Sequence, residues 1–272
     1  MIRLGSIEFI NSLPVDLGLL SGEIPFLGRV IPGVPSRLNP MMLNGELDIS
    51  PVSALFYAQH AEEFAVLPDL SISSDSGVMS VLLFSRHALG DLRHRKIFLT
   101  GKGRTTPALL EMICRLRYGF IPQTEILPAG RFDPTQKDAV LLIGDEALLE
   151  KERLTGLGFE AMDLAEEWRR WTGFPLVFAL WVARREALAV RAEAVEKAHE
   201  AILSSKNWGL THLDRVLEAA VRKLGLPQSV LETYFSKLSY GWSLDLERGL
   251  NQYLEFAVRC GLLERKREEI LR

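Results

Sequence analysis

Cysteine is nearly absent: the 272 residues hold two, Cys114 and Cys260. Neither forms a C-x-x-C pair, and no histidine stands at metal-ligand spacing from either. A disulfide framework and the common zinc spacings are thereby excluded. Both thiols lie in apolar helical stretches, which predicts buried free cysteines and a reducing, cytoplasmic setting. An excess of one charge is lacking too. Lys plus Arg is 32 against 35 acids, a net charge of −3. That excludes the basic surplus of a nucleic-acid binder or of a protein held on an anionic membrane. Long apolar runs are missing: the longest, Leu176–Ala183, falls far short of the ~20 residues a membrane helix needs. The opening residues lack the basic and apolar regions of a signal peptide, which fits the cytoplasmic expectation.

What is present is ordinary globular composition, 47% apolar and 25% charged. The length suits two α/β lobes better than one core. Short strand patterns alternate with helical ones over the first ~85 residues, implying a mostly parallel sheet. Strands are predicted at Ile2–Ile10 and Arg29–Val34, and helices at Ser12–Leu20, Ser36–Asn44 and Ala54–Ala61. Two long apolar strands, Val78–Ser85 and Leu176–Ala183, bracket a second α/β block. Such bracketing predicts two crossings between lobes. Residues 1–85 plus 184–272 are assigned to lobe one, and residues 86–183 to lobe two. Beyond Arg184 the spacing is helical, at Leu188–Ser205, His212–Lys223 and Leu244–Cys260. These helices are expected to pack on lobe one, and a homodimer through them is left open. The mixed charges of Glu264–Arg272 read as a solvated end.

Chemistry is expected at strand ends, where ligands bind in open α/β sheets. Asn11 follows the first strand. Its amide can donate and accept hydrogen bonds without charge, or it can simply open the next helix. Thr100-Gly101-Lys102-Gly103-Arg104-Thr105-Thr106-Pro107 combines a Gly-rich turn, two hydroxyls and a helix start, a ready anion cradle. It lacks the Gly-Lys-Ser/Thr of a P-loop and the third glycine of a dinucleotide fingerprint. Ser53 and the pair Gly144–Asp145 stand at two more strand ends, with helix capping as the bland alternative for each. The five histidines (His60, His87, His94, His199 and His212) sit in charged or helical surface contexts. No imidazole base and no Ser-His-Asp arrangement is expected.

Several stretches together resemble a known family. They are Arg3-Leu4-Gly5 with Phe9-Ile10-Asn11-Ser12-Leu13-Pro14, Pro35-Ser36-Arg37-Leu38-Asn39, and Leu43 through Ser53. Leu67-Pro68-Asp69-Leu70-Ser71-Ile72, Leu142 through Leu148, and Asp163 through Ala179 add to the match. The set resembles the menaquinone-biosynthesis proteins of the futalosine pathway, and among them the chorismate dehydratase branch. The chain has Gly103 and Ala54 where many relatives carry serine. The resemblance implies an α/β fold of the two-lobed, type II periplasmic-binding-protein kind, with an interlobe cleft as active site and a helical C-terminal segment. It implies dehydration of chorismate to 3-[(1-carboxyvinyl)oxy]benzoate without metal or organic cofactor. Asn11 and Asp145 are the catalytic candidates, and Ser53, Thr105, Thr106 and Gly144 the substrate-binding ones. The sister enzyme, which makes 1,4-dihydroxy-6-naphthoate, relies on a cleft histidine, and none is expected here. That synthase and a non-enzymatic binding protein for a small carboxylate are the alternatives.

Overall fold

A computed structural model describes residues 1–101, 103–127, 133 and 136–264. Lys102 of the Gly-rich turn and the charged end beyond Glu264 lie outside the described residues. The described chain forms two five-stranded sheets. The first holds β1 (Ile2–Ile7), β2 (Gly28–Gly33), β3 (Ile49–Ser53), β4 (Phe64–Ser74) and β10 (Leu176–Arg184), in the order β2-β1-β3-β10-β4. The second holds β5 (Val81–Ser85), β6 (Lys96–Leu99), β7 (Gln123–Ile126), β8 (Ala139–Ile143) and β9 (Glu160–Asp163), in the order β7-β6-β8-β5-β9. Each sheet is mixed: β1 runs parallel to β2 and β3, while β10 lies antiparallel between β3 and β4. In the second sheet β6 is parallel to β7 and β8, and β5 is antiparallel to β8 and β9.

The sheet change falls elsewhere than the sequence reading put it. Val81–Ser85 pairs in the second sheet, and Leu176–Arg184 in the first. The chain therefore passes between sheets at residues 75–80 and again at 173–175. Both strands are buried on their two faces, so their composition looks the same in either sheet. In β5, Val81 and Leu83 face the large core, while Leu82 and Phe84 face a smaller one with Val140, Leu142 and Phe159. Strand β4 escaped the sequence reading because Pro68 and Asp69 interrupt its alternation. Asp69 has φ 57°. The pairing with β10 jumps from Ser71 opposite Leu180 to Val66 opposite Val182, so the residues between bulge out.

The helices are α1 (Leu13–Leu20), α2 (Pro35–Leu43), α3 (Ala54–Gln59), α4 (Thr105–Met112), α5 (Asp145–Gly156), α6 (Leu164–Thr172), α7 (Arg185–Thr211), α8 (Leu213–Leu224), α9 (Gln228–Ser236) and α10 (Leu244–Arg259). Helix α7 lies on α1 and the first sheet and bends at Arg191. Buried Asp48 ties this region together: it accepts from the Arg3 amide (2.8 Å) and from the guanidiniums of Arg3 (2.7 Å) and Arg191 (2.6 Å). The tail is not confined to the first sheet, as had been expected. Helix α10 packs on β10 and α3 and also on α4 of the other sheet. Its Phe256 meets Trp168 and Trp171 of α6, and its Tyr253 hydroxyl donates to the Thr105 carbonyl at 3.0 Å. Gly249 lets α10 come this close: a Cβ there would sit 2.2 Å from the Pro175 carbonyl oxygen. Among the described residues, no helix is long and apolar enough to cross a membrane.

Candidate active site

A pocket opens between the two sheets, enclosing about 720 Å³ including its open mouth. That is a common size for a small-molecule site. The first sheet contributes Asn11 after β1, Ser53 at the end of β3, and Phe178 and Ala179 from β10. The second contributes Ser80, Gly103 through Thr106, and Ile143–Gly144 at the end of β8. Five sequence candidates, Asn11, Ser53, Thr105, Thr106 and Gly144, thus line one cavity, and Asp145 does not. Arg104 is the one charged side chain among the described lining residues. No carboxylate or imidazole stands there, and none of the five histidines is buried.

Asn11 lies in a single 3-10 turn, Ile10–Ser12, between β1 and α1. It does not cap α1; the position before that helix is Ser12. The Ser12 hydroxyl in turn donates backwards, to the carbonyls of Ile7 (2.6 Å) and Phe9 (3.1 Å). The Asn11 Oδ1 is buried with no hydrogen-bond partner. An unpaired buried amide oxygen costs about 1–3 kcal/mol.

Ser53 precedes α3 but makes no side-chain cap bond, so its hydroxyl is left to the pocket. The cap comes from the other sheet: Thr105 Oγ1 accepts the Leu55 amide at 3.2 Å. As an acceptor there, Thr105 keeps its own O–H for a ligand. Thr105 and Thr106 are both buried in the first turn of α4. Their helix end supplies free amides and a positive dipole.

Gly144 has φ 68°, and its Cα faces the Phe9 ring; a Cβ would lie 3.2 Å from it. The left-handed turn directs Asp145 away from the cavity, the physical reason the cleft-acid expectation is corrected. Asp145 Oδ1 accepts the Ile10 amide at 2.9 Å, and Oδ2 meets Lys223 Nζ at 3.1 Å. Lys223 also donates to the Glu8 carbonyl. Asp145 therefore holds the β1–α1 turn against the second sheet, directly beside Asn11.

Ser80 was missed. It sits in the crossing segment before β5, where no motif marks it, and only three-dimensional placement brings it to the pocket. The buried Tyr234 hydroxyl donates to Ser80 Oγ at 3.3 Å. Burial pushes the Tyr234 phenol far up, so it stays a donor. With its oxygen occupied, Ser80 has its proton to offer to the cavity. The Gly144 amide donates to the Ser80 carbonyl at 2.7 Å, which fixes the residue against β8.

A family described as "Menaquinone biosynthesis" matches residues 2–259. The chain belongs to that family. A curated relative from Thermus thermophilus, named chorismate dehydratase, is 32% identical over 240 residues, covering 84% of this chain and 86% of that protein. Among solved structures, a protein from Archaeoglobus fulgidus has TM-score 0.78 at 19% identity, covering 96% of this family member and 98% of that chain. A Candida albicans protein with the generic periplasmic binding protein fold has TM-score 0.69 at 12% identity, covering 100% and 93%. At such identities the likeness concerns the fold alone, which is periplasmic-binding-protein-like with a helical C-terminal segment.

Proposed function

We propose that this protein is a hydro-lyase that dehydrates chorismate to 3-[(1-carboxyvinyl)oxy]benzoate in menaquinone biosynthesis. The family match and the chorismate dehydratase relative support the reaction. The observation that carries the mechanism is the lining itself: hydroxyl groups and the unpartnered Asn11 amide oxygen, with no carboxylate or imidazole among the described lining residues. We take the two sheets as the two lobes, exchanging at residues 75–80 and 173–175, with chorismate held between them.

The reaction removes the proton from the ring carbon bearing the enolpyruvyl ether. The electron pair forms the new C=C, and the neighbouring hydroxyl leaves as water, so the ring becomes aromatic. The drive lies in that product; the protein must supply geometry. With no base among the described lining residues, the enolpyruvyl carboxylate of the substrate takes the proton and passes it to the departing hydroxyl, which leaves as water. Well-oriented intramolecular groups can remove up to ~7–11 kcal/mol of barrier. Thr105 and Thr106, with the first amides of α4, anchor the ring carboxylate, and Arg104 at the mouth adds a positive charge. Ser53 leaves its hydroxyl for the enolpyruvyl arm, and Gly144, with no side chain, leaves room for it. Asn11 binds the reacting face, and Ser80 donates to the departing hydroxyl. Asp145 acts as a brace for Asn11 and not as the base.

Incubation with chorismate, followed by mass spectrometry, tests this. The expected result is loss of one water to an aromatic product. Unchanged chorismate defeats the proposal, and a bound but unaltered ligand favours a binding protein. Asn11→Ala is expected to lower kcat by about 10²–10³, the effect of removing one well-placed transition-state contact. Near-normal turnover makes Asn11 a bystander.

A further inference from the structure

The first crossing segment carries an unusual conformation immediately before Ser80. Met79 has φ 61°, the left-handed region that a non-glycine side chain seldom occupies. Such a backbone persists where its surroundings over-determine it. Here the surroundings are one carboxylate. Asp163 Oδ2 accepts the Val78 amide at 2.7 Å and the Met79 amide at 2.6 Å. Its other oxygen accepts the amides of Ala165 (3.0 Å) and Glu166 (3.3 Å), capping α6. Asp163 ends β9, opposite Leu82 of β5, so it grips the turn from the sheet beside it. The Gly144 amide holds the Ser80 carbonyl from the β8 side. Ser80 is thus clamped between the two strands that flank β5, at the point where it lines the cavity.

We propose that Asp163 is a positioning residue for the reaction, its carboxylate fixing the Val78–Met79 turn so that Ser80 presents its hydroxyl to the substrate. The inference rests on the role given to Ser80 above. Two amides pinned on one oxygen set the left-handed step, and that step decides which way residue 80 points. The cap on α6 is a separate task done by the other oxygen. Separate tasks can be separated by mutation.

Asp163→Ser keeps a hydroxyl that can cap α6 but cannot reach Val78 and Met79. The expected result is a fall in kcat of about 100-fold, the cost of a displacement near 1 Å, with KM changed less than about threefold. Ser80→Ala is expected to fall similarly, and the double variant to fall no further than Ser80→Ala alone. That non-additivity, with the kcat-against-KM split, is what a merely structural role would not produce. Gly77→Ala gives an independent route should Asp163→Ser fail to fold. Its Cβ would lie 2.9 Å from Asp163 Oδ2. Its nearest contact is the oxygen that holds the turn, so it presses the carboxylate off the turn and is expected to show the same kcat loss. Losses that multiply in the double variant, or full activity in Asp163→Ser or Gly77→Ala, overturn the proposal. Wild-type turnover with an unimpaired Ser80→Ala overturns the role of Ser80 and this inference but leaves the dehydratase reading intact. No turnover by the wild-type protein overturns both.

Discussion

Asp16 offers a sharp test of the buried electrostatics beneath the pocket. It lies on α1, five residues after Asn11, and is 2% exposed. No cation pairs with it among the described residues; Ser6 Oγ donates to it at 2.6 Å. Burial pushes its carboxyl up from 3.8 to about 7, against the opposing pull of the Ser6 and Ser12 hydroxyls. At ~1.4 kcal/mol per pH unit, that difference is worth about 4 kcal/mol. The sign follows from proton counting. Between about pH 4 and pH 7 the folded protein keeps the proton and the unfolded chain has lost it, so stability falls as pH rises. Asp16→Asn keeps an oxygen for the Ser6 hydroxyl and has no proton to lose. Urea unfolding of both proteins at about pH 4 and about pH 8 is the assay. The stability of Asp16→Asn relative to wild type should rise by about 4 kcal/mol between the two, about 10 °C in Tm for a chain of this size. A difference that stays flat with pH, or that falls, refutes the reasoning.

Three further outcomes follow from the geometry. Asp145→Asn still accepts the Ile10 amide and loses a half-exposed ion pair with Lys223, so turnover should stay within about tenfold of wild type; abolished turnover with intact substrate binding restores Asp145 as the base. Asp48→Ala removes a fully buried carboxylate and strands the Arg3 amide, and should cost about 3 kcal/mol in urea unfolding; a loss near zero contradicts the account of that cluster. Gly249→Ala should destabilise by about 1–3 kcal/mol, because the new methyl meets backbone at Pro175 and α10 must move; an unchanged Tm contradicts the close packing.

The residues at strand ends were readable because strand-end chemistry follows the chain: Asn11, Ser53, Thr106 and Gly144 each follow a recognisable apolar run. Their convergence on one cavity needed the fold. Ser80 was illegible because the apolar run from Val78 reads as one strand; the strand begins only at Val81, and this hid the crossing to which Ser80 belongs. The fate of Asp145 was illegible for another reason. A residue at a helix start looks alike in sequence whether its side chain faces a ligand or, as here, the Ile10 amide across the gap. Strand β4 shows the same limit in the fold: Pro68 and Asp69 spoil the alternation that marks a strand, and only the pairing with β10 shows that they bulge out of a continuous strand. Helix α10 was recognised from its spacing, but its apolar face does not say which partner it covers, and it covers both sheets.

The place of β10 has a consequence for how the chain is made. It lies inside the first sheet, between β3 and β4, yet it is synthesised after every strand of the second. During translation, β1 through β4 emerge first and cannot close their sheet, since the strand that joins them is still to come. The second sheet, contiguous in sequence, is the first that can be completed. Until Leu176–Arg184 leaves the ribosome, β3 and β4 carry unpaired edges, which are templates for association with other chains. A nascent or truncated chain ending before Leu176 is therefore the form of this protein most prone to aggregate, and a chaperone that shields strand edges would act in that interval.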